Sequence, residues 1–165
     1  VKLEKIDFSV AILAALACVF ITIQVPVWAI FVGWAWYFAL GATPNLIKTS
    51  ILPMLLGAVL AVLAFLLIDW FGGLMPSLAA LALAVFITVF LLMLGLKIPA
   101  CGVSLVAFNA YSCIFVGYGA GAFMAIPGIP PLLNAVLWIS GANVIGLIFG
   151  YLSVKVTTIG LGIKE

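Results

Sequence analysis

The chain has 165 residues, of which 68% are hydrophobic and 6% charged, with six lysines, four acidic residues, no arginine and no histidine, for a formal net charge of +2. Soluble domains carry about 25% charged residues, so this composition predicts an all-α polytopic membrane protein in which residues 1–165 form a single transmembrane domain. The same counts argue against nucleic-acid partners, which need a basic surface, and against metals, cofactors and an enzyme's general acid–base groups.

A membrane-crossing helix needs about 20 apolar residues. The first apolar run is Phe8–Ile23, closed by Gln24 and Pro26. The second, Val27–Leu40, is short and aromatic and ends at Gly41-Ala42-Thr43-Pro44-Asn45. The third, Leu46–Trp70, contains Pro53 and is followed by Gly72, Gly73 and Pro76, which mark a turn. Leu78–Leu96 is the fourth, stopped by Lys97 and Pro99. Cys101–Val116 is the fifth, again short. A glycine- and proline-rich loop, 117–131, precedes the sixth run, Leu132–Val154.

Lysine placement sets the count. With six transmembrane helices, Lys2, Lys5, Lys48, Lys97, Lys155 and Lys164 all fall on one side, and Gln24 and Asp69 on the other. If Phe8–Leu40 were one crossing, Lys48 would change sides relative to Lys2 and Lys5. The positive-inside rule therefore predicts six spans with both termini cytoplasmic. The first apolar run lacks a small-x-small cleavage site, so no removable signal peptide is expected. Cys18, Cys101 and Cys113 are scattered and show no metal or redox spacing.

The second and fifth runs share a pattern. Phe31-x-Gly33-Trp34-Ala35-x-x-Phe38-Ala39 aligns with Phe108-x-Ala110-Tyr111-Ser112-x-x-Phe115-Val116, and Gly57-Ala58 aligns with Gly141-Ala142. Halves 1–75 and 76–165, each with three spans, would then form an inverted 3+3 repeat, a plan in which short paired segments flank the solute site. Chance alignment is the competing account in so apolar a chain.

The fifth run is the most polar. Asn109, Ser112 and Cys113 are spaced to share one helical face; the face either lines a pore, where the amide replaces hydration, or bonds between helices. Phe31 and Phe108 are symmetric constriction candidates, as are Phe38 and Phe115, with core packing the alternative for the aromatic-rich second run. Ala142, Asn143, Gly146 and Gly150 read as a close-packing stripe, within the chain or in a homo-oligomer. Asn134 reads as a solvated residue near the far mouth. Lys48 and Lys97 read as topology anchors. Asp69 reads as an interface residue, and loop 117–131 as either a surface loop or a segment folded into the outer vestibule.

Three segments carry a family likeness: Trp28-Ala-x-Phe31-x-Gly33 with Tyr37-Phe38-Ala39, Phe108 through Gly117, and Gly146-Leu-Ile-Phe-Gly150-Tyr151. On these the chain resembles the bacterial inner-membrane family catalogued as domain of unknown function 1097, from which it departs in its longer loop before the sixth run. The resemblance implies six spans in the inner membrane and supplies no binding or catalytic residue. Ionisable residues are missing from the middle of every run, which disfavours ion-coupled transport. The expected function is a passive channel or facilitator for a small neutral or weakly acidic solute, lined by Asn109, Ser112, Phe31 and Phe108; the alternative is a non-transporting scaffold or partner subunit.

Overall fold

A computed structural model describes residues 2–159, and among these residues the chain is all-helical. The helices are α1 (Lys5–Ala17), α2 (Val27–Ala39), α3 (Leu46–Gly72), α4 (Ser77–Gly95), α5 (Ser104–Gly119) and α6 (Pro131–Ile159). Short 3-10 segments, Cys18–Ile23 and Pro99–Cys101, extend α1 and precede α5. Each helix lies where the apolar runs place it.

Local chemistry sets the ends. At the start of α1 the Glu4 backbone N–H donates to Asp7 Oδ2 at 2.8 Å, satisfying a donor the helix leaves orphaned. Three helical segments end in the same way, with a left-handed residue after the last turn and an N–H bonded five residues back. Gln24, Gly41 and Gly121 take φ of 57°, 95° and 62°. The matching bonds run from Val25 to Phe20 O (3.2 Å), Ala42 to Tyr37 O (2.9 Å) and Ala122 to Gly117 O (2.9 Å). Gly41 and Gly121 are thus helix stops, whereas Gly117 and Gly119, expected in the loop, lie within α5.

Four segments are long and apolar enough to cross a membrane: Lys5–Ile23, Leu46–Gly72, Ser77–Gly95 and Pro131–Thr157. At 1.5 Å rise per residue, α2 is about 20 Å long and α5 about 24 Å, short of a hydrocarbon core of roughly 30 Å. Length alone therefore accounts for four crossings and leaves two short apolar helices.

The packing has two main seams, α2 along α6 and α5 along α3; α4 lies on α3, α1 on α6, and α2 and α5 touch briefly. Lipid supplies little hydrophobic drive between helices, so close backbone approach at small residues does the work. A methyl on Gly146 would overlap the Ile30 carbonyl and press on the Trp34 N–H, and one on Gly33 would overlap the Asn143 carbonyl. In the other seam, a methyl on Gly57 would overlap the Ala107 carbonyl and press on the Tyr111 N–H. The alignment of Phe31 with Phe108 also pairs Ile30 with Ala107 and Trp34 with Tyr111, so Gly57 matches Gly146. Gly141, the partner expected from the sequence, is exposed and meets nothing within 4 Å. At equal offsets from Gly57 and Gly146, Met54, Ala58, Ala61 and Ala64 of α3 and Asn143, Leu147, Gly150 and Ser153 of α6 are all buried.

The loops segregate to the two ends. One end brings Tyr37, Ala42 and Pro44 beside Tyr151 and Lys155, and the other brings Val25 and Trp28 beside Ala122 and Phe123. Lys5, Lys48, Lys97 and Lys155 belong to the first end by their place in the helix order; Asp69 belongs to the second. Lys164 lies outside the described residues.

Candidate functional site

Buried polar groups define the interior. The Trp34 indole N–H donates to Ser153 Oγ at 3.3 Å, Ser153 Oγ donates to the Gly150 carbonyl at 2.7 Å, and Ser9 Oγ donates to the Ser153 carbonyl at 2.9 Å. This network joins α1, α2 and α6. Between α4 and α5, Thr88 Oγ1 donates to the Ala84 carbonyl at 2.8 Å and lies 2.8 Å from the Tyr111 hydroxyl. Each hydroxyl carries one proton, and either can donate between Thr88 and Tyr111. The sequence signal for Ser9, Thr88 and Ser153 was faint: single hydroxyls in apolar runs, each able to bond its own helix.

Not every interior group is satisfied. Asn143 is 1% exposed, and its Oδ1 has no partner. It sits near the middle of α6, beside Cys113 of α5. Trp36 Nε1 and Ser50 Oγ are likewise buried without partners; in the alignment of α2 with α5, Trp36 takes the place of Cys113. An unsatisfied buried polar atom costs about 1–3 kcal/mol. Such groups need an account, and one is a transient ligand.

The residues singled out from sequence separate. Asn109 is half-buried and its amide donates to the Leu105 carbonyl of its own helix at 2.8 Å. Ser112 is exposed while Cys113 points into the core, so the three polar residues of α5 do not share one environment. Phe31, 41% exposed, stacks on Trp34 at 5.9 Å and borders a groove of about 190 Å³ with Val10, Ala35 and Phe38. Phe108 lies partly buried against the core at the matching place on α5. Phe65 and Phe115 stack at 4.5 Å.

The small-residue stripe is used within the chain. Ala142, Asn143, Gly146 and Gly150 are all buried, with Gly146 against α2 and Gly150 under the Tyr37 ring. Asn134 is not a solvated mouth residue. It is 2% exposed, and its amide donates to the carbonyls of Ile126 and Ile129, both at 3.2 Å, tying the loop before α6 to that helix. Lys48 and Lys97 are exposed, as anchors should be. Among the described residues no group of three His, Cys, Asp or Glu is placed to hold a metal.

The profile of a family described as "Protein of unknown function (DUF1097)" matches residues 8–158. No curated protein matches the chain. No solved structure matches it either.

Proposed function

The chain belongs to this DUF1097 family of unknown function, and from that premise we propose that it is a passive facilitator for a small neutral or weakly acidic solute. In this reading it crosses a bacterial inner membrane six times with both termini cytoplasmic, does no enzymatic chemistry, and is built from inverted halves 1–75 and 76–165. The congruent seams at Gly57 and Gly146 support the two halves. The lysines at one end support the orientation.

One observation carries the solute reading: the unpartnered Oδ1 of Asn143, fully buried near mid-helix and beside Cys113. In inverted-repeat transporters the solute site lies near the midplane, between short helices such as α2 and α5. There an amide oxygen can accept a bond from a solute that has shed water. The pathway assigned to Asn109, Ser112, Phe31 and Phe108 follows the outward side of α2 and α5 and would serve a route between copies in a homo-oligomer.

The test is solute entry into proteoliposomes by stopped-flow light scattering, with urea, glycerol, acetate, formate and ammonia. At least one solute is expected to enter faster than into empty liposomes. Asn143→Leu should then cut the flux if the route is interior, and Asn109→Leu if it runs between copies. If every solute enters at the rate of empty liposomes, the facilitator reading fails. Orientation is tested separately in a variant lacking the native cysteines: Lys97→Cys should resist an impermeant maleimide applied from outside, and Asp69→Cys should react.

A further inference from the structure

At the end of the bundle away from the lysines, a cavity of about 440 Å³ is bordered by Phe65, Leu66, Ile68 and Asp69 of α3, Tyr118 of α5 and Leu132 of α6. Phe65 and Asp69 are four residues apart and so share a helical face. The Phe65 and Tyr118 rings meet at 4.7 Å between centroids and 67° between planes, forming an aromatic corner in the cavity that Asp69 also borders. Behind that corner Phe115 stacks on Phe65 at 4.5 Å, which holds it in place.

We infer that this cavity binds a small organic ammonium ion, held by the Asp69 carboxylate and the Phe65–Tyr118 rings. The site goes beyond the proposed pathway and stands whether or not a solute is conducted. Charge points to a cation: Asp69 is the sole acidic residue between Asp7 and Glu165, and the lysines of the described residues lie toward the other end. The field at this mouth is therefore negative. The lining points to a methylated ammonium rather than a metal ion. Calcium takes 6–8 oxygen ligands, whereas one carboxylate and a phenol among apolar side chains suit a cation with an apolar shell, attracted to aromatic faces.

The probe is radiolabelled tetramethylammonium, measured by equilibrium dialysis against the full chain in uncharged maltoside micelles. Saturable binding is expected. Asp69→Asn should weaken it at least tenfold and Tyr118→Leu at least fivefold, with Tyr118→Phe, which keeps the ring, within twofold of the parent. Sodium at equal concentration and tert-butanol, a neutral analogue of similar shape, should fail to displace the probe. The proposal is overturned if binding does not saturate, if Asp69→Asn binds like the parent, if sodium competes equally, or if Tyr118→Phe loses as much affinity as Tyr118→Leu.

Discussion

The α2–α6 and α3–α5 seams share a backbone geometry and differ in the polar chemistry laid on it. At both, a helix glycine lets the neighbouring helix approach until an added methyl group would overlap its backbone carbonyl. The first seam is bonded across itself, Trp34 to Ser153, with Ser9 of α1 joining it; in the second, the Tyr111 hydroxyl of α5 reaches past α3 to Thr88 of α4. The first also relies on more glycine, since Gly33 and Gly150 join Gly146, whereas Gly57 is backed by Ala61 and Ala110. Close approach is thus the shared requirement, and the hydrogen bonds around each seam differ.

The largest effect should come from filling the seams. Gly146→Leu and Gly57→Leu each place a side chain where a backbone carbonyl sits, at or beyond the roughly 1–3 kcal/mol usual for overpacking. Both should abolish the monodisperse peak in fluorescence-detected size-exclusion chromatography. If one variant folds normally, the two seams are not equivalent.

Next is Asn134→Ala, which removes the side-chain donor to the Ile126 and Ile129 carbonyls and leaves Ile126 only the Ile129 N–H; it should cost about 1–3 kcal/mol and lower the midpoint of thermal unfolding in detergent. This tie fixes the loop before α6 to that helix, so the loss isolates what the loop contributes. Limited proteolysis should then cut near residues 120–130 first.

Smaller effects are expected from the polar bonds. Trp34→Phe and Tyr111→Phe should each cost about 0.6 kcal/mol and at most about 1.7, the range for bonds between membrane helices, read by reversible unfolding in bicelles. Similar losses at both positions would support the comparison, and a much larger loss at Trp34 would show that the Ser9–Ser153 network carries weight beyond one bond. The smallest effect belongs to Gly141→Leu. Gly141 is exposed and unopposed, so stability should change by no more than about 0.5 kcal/mol; a large loss would restore Gly141 as the match for Gly57.

Much of this protein was determined by sequence alone. Apolar runs closed by Gly41, Pro76, Pro99 and Gly121 give the helices within a few residues, because a glycine in the left-handed region or a proline without an N–H stops a helix wherever it lands. The lysines indicate a common end, and α2 and α5 are legible as the two short apolar runs. Tertiary structure alone decided the rest. Gly141 and Gly146 look alike in a sequence, and so do the amides of Asn109 and Asn143, since residue type records neither the backbone that crosses a glycine nor the partner an amide finds. Asn109 lies within reach of its own helix's Leu105 carbonyl and is spent there, whereas Asn143 is carried by α6 into a packed interior where its oxygen meets no donor. That difference arises from which helix faces which, a property of contacts distant in the chain.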